Sequence, residues 1–495
     1  MFSTKLSRPS NAEAFNFLVR SQKKTEIPLA VQAGDNYDAD MKPLRCESIE
    51  ELLEAIRGKL HIPQASVDCF EVMLASAIAI RVHGLMLWLH CVGPSSSLKT
   101  TFAKIIASAS DKTFMVSNFN GLYSGMRSSV DSSLVPLLHN KLLIIPDFTP
   151  LLTSSKDVQD KIFGEFRDIY DGAGRRIFGN GVDRNYQGVN FGVLTCVTDK
   201  IYQFGPGRSD LGERFLMSEI NCSWGPDGTQ IHEQINTDVE GSAFERACLV
   251  SANGFAAGYD DSVKLDNLKS ERAMCWGLLN HIVSWSDENR NELAEFMQHV
   301  VHDQSFKKEI EAMAIWLETA RCHRPAKDEL FSRPALPHRT IGQLVKLAFS
   351  LCILNKRLEI TPKIRHLIRK TVFDTCSSEN LKLMNFLATE QFFSKDLLAD
   401  AIGRSPTHVA NYADHLMRLG VISKTYRNNG TGNRGRDMLC YELVPEWRVH
   451  AETLNFRPPT SSSPSLKRRT LADITGKAPT APMSLFKSLR AKATG

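Results

Sequence analysis

The sequence predicts an α/β protein: a mostly parallel sheet flanked by helices, then an all-helical segment, then a small α-then-β unit near the C-terminus. Three observations carry this. Apolar runs at Leu85–His90, Lys141–Pro146 and Val189–Thr198 alternate with helical patterns, as buried parallel strands do. From Asp266 to about Cys376 the apolar spacing is helical throughout, and Asn380–Leu443 holds two capped helices followed by two short strands.

Bulk properties set the frame. The chain has 495 residues, enough for two to four domains, and its 42% hydrophobic and 23% charged content is that of an ordinary globular protein. No signal peptide is evident and no run of about 18 uninterrupted apolar residues marks a membrane span. Eleven cysteines are scattered with no C-x-x-C pair, which suggests neither a zinc ribbon nor a disulfide framework and fits free thiols in a reducing cytoplasm. The net charge of +5 is uneven: the segment Arg457–Gly495 carries eight Lys or Arg against one Asp.

Taken in order, Met1–Arg45 is polar and weakly patterned, an arm or small cap ending near residue 65. Ser48–Leu60 and Ser66–His83 read as helices with Ser48 and Ser66 as N-caps. The first strand then feeds C-V-G-P-S-S-S-L-K-T-T, residues 91–101. A strand, a Gly-containing loop and Lys-Thr at a helix start form a phosphate cradle, because loop N–H groups and the helix N-terminus bind anionic oxygens. Gly93, Pro94, Ser95, Ser96, Ser97, Leu98, Lys99, Thr100 and Thr101 are the candidate ATP-binding residues. Lys99 is expected to reach the β/γ-phosphates, and the Thr100 hydroxyl to join a Mg²⁺ shell. Leu98 stands where the pattern G-x-x-x-x-G-K-[ST] has its second Gly.

The second strand, L-L-I-I-P-D-F (142–148), ends in Asp147 at the C-terminal edge of the sheet, where a carboxylate holds Mg²⁺ directly or through water; a plain turn at D-F-T-P is the alternative. A hydrolase usually has a water-activating Glu beside this Asp, and here that neighbour is Phe148. Glu165, Asp168 and Asp171 follow at spacing three and three, either as substitutes on one helix face or as a solvated face paired with Arg167.

Residues 174–188 read as a β-hairpin around Gly-Asn-Gly. Its Arg175, Arg176 and Arg184 suit DNA phosphates and Tyr186 suits a base, or the hairpin is a basic surface feature only. Thr195 and Thr198 lie at the end of the third strand, where a γ-phosphate could be sensed, and Arg214 lies between apolar residues in S-D-L-G-E-R-F-L. Such an arginine stabilises phosphoryl charge in a neighbouring subunit, or it pairs with Glu213 or Asp210.

Near the C-terminus Ser394 caps one helix, Gly403 ends it, and Ser405-Pro406 starts the next in register. With two strands flanking R-N-N-G-T-G-N-R-G-R (427–436), this reads as a winged helix. Thr407, His408 and Asn411, with Tyr412, are available to a DNA groove, and Arg427, Arg434 and Arg436 to phosphates; a protein-contact module is the alternative. Residues 446–495 are predicted to be a disordered basic tail. Lys467-Arg468-Arg469 suits nonspecific phosphate contact, and Met483-Phe486 faintly resembles the S-L-F end of bacterial clamp-binding peptides.

The order of parts resembles the AAA+ ATPases, and within them the MCM-like clade: phosphate loop, strand with Asp, helix, hairpin, sensor strand and G-E-R-F. F-R-D-I-Y-D-G with L-G-E-R-F-L also resembles ATP-binding replication proteins of phages and integrating elements. The resemblance spans roughly residues 66–443 and implies a P-loop NTPase core (66–265), a helical lid (266–376) and a winged helix (377–445). It implies ATP and Mg²⁺ as cofactors, DNA and a homo-oligomeric ring as partners, Arg214 as an arginine finger, and Arg339 in P-H-R-T-I-G as a second sensor touching the γ-phosphate. The chain departs from the clade in having no Glu after Asp147, Thr198 in place of Asn, and no large N-terminal collar.

Two readings of function follow. One is an ATP-driven motor, a helicase or remodeller for replication of a phage or mobile element. The other is a low-turnover, ATP-switched winged-helix regulator, favoured by the absence of an acid beside Asp147. Strand displacement separates them.

Overall fold

The computed structural model describes residues 41–60, 62, 64–95, 97–128, 130–204, 214–220, 268–322, 334–376, 378–389, 393–427 and 438–454. The chain divides into two compact units, Met1–Leu381 and Lys382–Gly495. The division falls inside the helix Glu379–Thr389, a few residues beyond the boundary at 376/377 read from the sequence. The core and the following helices belong to one unit.

In the first unit the strands are β1 (Trp88–Val92), β2 (Thr113–Met115), β3 (Leu142–Ile145), a two-stranded antiparallel hairpin of β4 (Gly174–Ile177) and β5 (Asp183–Tyr186), β6 (Gly192–Val197) and β7 (Phe215–Glu219). Five of them form a sheet in the order β2-β3-β6-β1-β7, and every pairing is parallel. All residues of β1, β2, β3 and β6 are buried, which is why β1, β3 and β6 read as mainly apolar runs; the three-residue β2 was too short to be read from the sequence.

Trp88 anchors one face. Its ring meets Phe166 at 5.4 Å, Tyr170 at 4.7 Å, Phe191 at 5.7 Å and Phe215 at 5.3 Å, and its indole N–H donates to the Phe191 carbonyl. Phe166 lies on the helix Lys156–Ile169 that covers this face. The other face carries the helices Gln64–Ile78 and Lys99–Ala107; Cys69 Sγ there lies 3.6 Å from Cys91 Sγ.

The first helix, Ile49–Arg57, has the expected cap: the Ser48 hydroxyl accepts from the Glu51 N–H. It is not part of a separate arm, since the Leu44 N–H donates to the Ala273 carbonyl at 2.9 Å and Lys59 pairs with buried Glu271. The second helix starts at Gln64, so Ser66 is a buried interior residue and not a cap. Pro63 in the sequence favours that earlier start.

The helical segment closes the sheet. Strand β7 lies at an edge, and its open backbone groups are met by side chains. Met217 N–H donates to Thr375 Oγ1 (2.9 Å) and Glu219 N–H to Asp374 Oδ2 (2.8 Å). In return Lys370 Nζ donates to the Glu219 carbonyl and Arg321 to the Phe215 carbonyl. Among the described residues no helix is long and apolar enough to cross a membrane.

The second unit runs β8 (Phe393–Ser394), helix Lys395–Ile402, helix Pro406–Arg418, β9 (Ile422–Arg427), β10 (Met438–Leu443) and helix Pro445–Thr453. The sheet order is β8-β10-β9, antiparallel. Ser394 and Ser405 cap their helices by accepting from Leu397 and His408 N–H groups, and Gly403 turns the chain at φ 65°. The tail read from 446 onward begins too early: residues 446–453 are helical, with Pro445 at the helix start.

Candidate functional site

The candidate phosphate loop leaves the C-terminal end of β1. Gly93 N–H donates to the Val197 carbonyl, tying the loop to the end of β6. A Cβ on Gly93 would lie 3.0 Å from Ser97 Oγ and 3.3 Å from Ile220, a tight fit that Ser97 and Ile220 would have to relieve by a few tenths of an ångström. Lys99 is only 7% exposed; its ammonium folds back to donate to the Gly93 carbonyl at 2.6 Å and to Ser97 Oγ at 3.0 Å, and also reaches the Pro94 carbonyl. Leu98 stands in the left-handed region with φ 66° and ψ −2°. That is the conformation for which the usual pattern places glycine there, and a leucine holds it at a cost of about 1–2 kcal/mol. Ser95 is exposed and Thr101 half-buried; Ser96 lies outside the described residues.

Two further strands bring their ends to the same sheet edge. The Thr100 hydroxyl donates to the carbonyl of Pro146, the residue before Asp147. Asp147 is exposed and its Oδ1 accepts the Thr149 N–H at 2.9 Å, a turn that leaves Oδ2 without a hydrogen bond among the described residues. Phe148 is turned the other way, into the core against His90 and Phe163. Thr198 follows β6, and its Oγ1 is buried with no hydrogen-bond partner among the described residues. Thr195 is not available as a sensor: it sits inside the sheet with its Oγ1 2.5 Å from His90 Nδ1.

The acidic triplet does not act as one face. Glu165 is 1% exposed; it accepts the Leu122 N–H at 2.6 Å and pairs with Arg176. Asp168 is exposed, and Asp171 lies beyond the end of the helix at Ile169. Glu165 is therefore a fixed structural carboxylate and has no opening to the loop.

The hairpin arginines separate by environment. Arg176 is consumed by Glu165, and Arg184 donates inward to the Ser124 and Met126 carbonyls and pairs with Asp131. Tyr186 donates to Asp131 and packs beside Tyr123, so it is not a base platform. Arg175 alone of the three is exposed, paired with exposed Asp183.

Arg214 and Arg339 come together at the opposite end of the sheet. Their guanidinium carbons lie 5.7 and 5.6 Å from the centre of the Tyr170 ring. Tyr170 Oη donates to the Met86 carbonyl, before β1, and Arg214 directly precedes β7. The loop follows the far end of β1, about 15 Å along the strands. Arg339 is thus a companion of Arg214, out of reach of the loop of its own chain. Burial, then Arg339, pushes the Arg214 guanidinium below its ordinary basicity. Glu213 and Asp210 lie outside the described residues.

In the second unit Thr407 and Asn411 are exposed on the helix Pro406–Arg418, and His408 is half-buried, its ring tilted against Tyr412 at 4.7 Å. Arg434 and Arg436, the side chain of Arg427 and the tail motifs lie outside the described residues.

One polar group beside the loop was not legible in the sequence. Ile220, against Gly93, follows Glu219, whose carboxyl meets Tyr202 Oη. Asp374 accepts from Lys370 there. Burial, then Asp374, raises the Glu219 carboxyl above the usual range, and burial raises Asp374. These residues come from segments about 150 positions apart, so no local spacing announces them.

No known family model matches the chain, and no curated protein matches it. Among solved structures, one described as the A form apo structure of the NrS-1 C terminal region aligns with 82% of this chain and 78% of that chain, at 13% identity and a TM-score of 0.23. A likeness that low bears on neither fold nor function.

Proposed function

We propose that the chain is an ATP-dependent DNA-binding motor of the AAA+ type, MCM-like, acting as a helicase or remodeller in replication of a phage or mobile element, in the cytoplasm. The observation that carries this reading is the convergence of Lys99, Thr100, Asp147 and Thr198 at the C-terminal ends of three parallel strands, with the Thr198-bearing strand between the other two. The residues fit a magnesium nucleotide. Lys99 is a buried cation held by the Gly93 and Pro94 carbonyls and Ser97 Oγ, all neutral, and Thr198 Oγ1 is a buried polar atom with no partner among the described residues. Lys99 would hold the phosphates, and Thr100 with Asp147 the Mg²⁺, which supplies charge stabilisation when bound.

Arg214 and Arg339 lie at the opposite sheet end, a placement suited to reaching the nucleotide of a neighbouring subunit in a ring. For DNA, the β8-β10-β9 sheet with its two capped helices supports a winged helix, offering Thr407 and Asn411 to a groove and Arg427 to phosphates. On the hairpin, Arg175 is the residue left for DNA. Contacts to replication proteins are assigned to the tail.

The test is ATP hydrolysis without DNA, with single-stranded DNA and with duplex, against Lys99→Ala. Lys99-dependent turnover stimulated by DNA is expected; full turnover by Lys99→Ala would sink the assignment. The second reading, a low-turnover ATP-switched winged-helix regulator, is favoured by one observation. The position beside Asp147 is a core phenylalanine, and Glu165 is sealed in an ion pair. Tight ATP binding with neither turnover nor strand displacement would give it precedence.

A further inference from the structure

Two guanidinium groups share one aromatic ring at the sheet end away from the loop. Like charges repel, so such a pair persists only where the surroundings fix it. The ring is fixed on both sides. Gln343 does this with one amide nitrogen: its Nε2 donates to Tyr170 Oη at 2.8 Å and to the Arg214 carbonyl at 2.7 Å. Tyr170 Oη donates its own hydrogen bond to the Met86 carbonyl at 2.9 Å, and its ring stands edge-on to Trp88 at 4.7 Å. Arg214 Nε is buried and finds no partner among the described residues, as does Gln343 Oε1. The assembly is cationic, and its ring is tied at both the hydroxyl and the edge.

We infer that Tyr170, clamped by Gln343 and Met86, is a positioning residue that holds Arg214 and Arg339 as a pair for the terminal phosphates of a nucleotide bound by the next copy of this chain. The inference rests on the nucleotide reading above and deepens it. Tyr170 touches no phosphate itself; it acts through the two arginines, supplying a π face that keeps both guanidinium planes at one place. Its neighbour Asp171 offsets part of the local positive charge.

The experiment uses the full-length chain with Tyr170→Phe, Tyr170→Leu and Lys99→Ala. Both Tyr170 variants fill the buried site with apolar volume, and only Phe keeps the π face. Turnover of ATP is measured alongside binding of a fluorescent ATP analogue and the thermal midpoint. Tyr170→Phe is expected to stay within about threefold of the parent, whereas Tyr170→Leu loses about a hundredfold in kcat, as misplacing a catalytic group by an ångström does. Analogue affinity is unchanged in both, because the loop is at the other end of the sheet. Mixing Tyr170→Leu with Lys99→Ala restores part of the turnover, since one mixed interface joins an intact loop to intact arginines. Equal turnover by the Leu and Phe variants, or no recovery on mixing, overturns the inference and leaves the nucleotide reading standing. A parent chain without Lys99-dependent turnover overturns both.

Discussion

The Thr100 hydroxyl hydrogen-bonds the Pro146 carbonyl at 3.2 Å, so the helix after the phosphate loop and the strand carrying Asp147 meet at a defined point. A cation held by Thr100 and Asp147 needs that junction. Asp147→Asn keeps the turn to Thr149 and removes the charge; it is expected to lower Mg²⁺-dependent turnover on the order of a hundredfold. The check is a Mg²⁺ titration of turnover for parent and variant, with circular dichroism unchanged.

Leu98 is held in a left-handed conformation by the loop. Leu98→Gly removes that strain but frees the unfolded chain, and the two effects nearly cancel, within about 0.5 kcal/mol. Leu98→Val adds β-branching to the same φ and is expected to be less stable than Leu98→Gly by about 1–2 kcal/mol. Urea unfolding of the two variants measures the difference.

Burial pushes the His90 imidazole from 6.5 down to about 3, and it lies stacked on Phe215 at 4.0 Å. The unfolded chain takes up this proton below pH 6.5 while the native state does not. The contribution is therefore complete above pH 6.5 and is lost as pH falls toward 3, at about 1.4 kcal/mol per unit. Glu219 and Asp374, with raised carboxyls, run the opposite way, so the comparison is made with His90→Asn, which leaves them in place. Between pH 6.5 and 5 the parent is expected to lose about 2 kcal/mol more than the variant.

Glu165 and Arg176 form a largely buried pair whose partner bond is to the Leu122 N–H. Arg176→Leu leaves the carboxylate uncompensated and is expected to cost about 2 kcal/mol, the usual penalty discounted because Arg176 is partly exposed. Glu165→Gln is expected to keep turnover within about threefold, since no reacting group faces it. A loss beyond a hundredfold in that variant would return Glu165 to the list of water-activating groups.

On the hairpin, Arg175→Ala is expected to reduce the salt dependence of DNA binding by about one unit of slope. Arg184→Ala, with its guanidinium turned inward, is expected to leave the slope unchanged and lower the melting temperature instead. Fluorescence anisotropy across a salt series distinguishes the two.

The sequence by itself determined what local chemistry can determine. Trp88–Val92, Leu142–Ile145 and Gly192–Val197 were legible as strands because strands buried on both faces are apolar at nearly every position, the exceptions His90 and Thr195 pairing with each other. The loop ending in Lys99-Thr100, the caps at Ser48, Ser394 and Ser405, and the turn at Gly403 were legible because each rests on residues within four positions of one another. Tertiary structure alone decided how distant groups share partners. The spacing of Glu165 and Asp168 allows a common face, but burial against Leu122 and Arg176 took one of them out of solvent. Arg176, Arg184 and Tyr186 read as a DNA surface until Glu165 supplied the partner of the first and the segment near Ser124–Asp131 those of the other two. Arg214 and Arg339, 125 positions apart, share the ring of Tyr170 only because a helix after the core returns to the start of β1 and β7. A side chain's charge is written in the sequence; what neutralises it is set by the fold, because pairing falls off within a few ångströms and the chain brings such partners together from anywhere along its length.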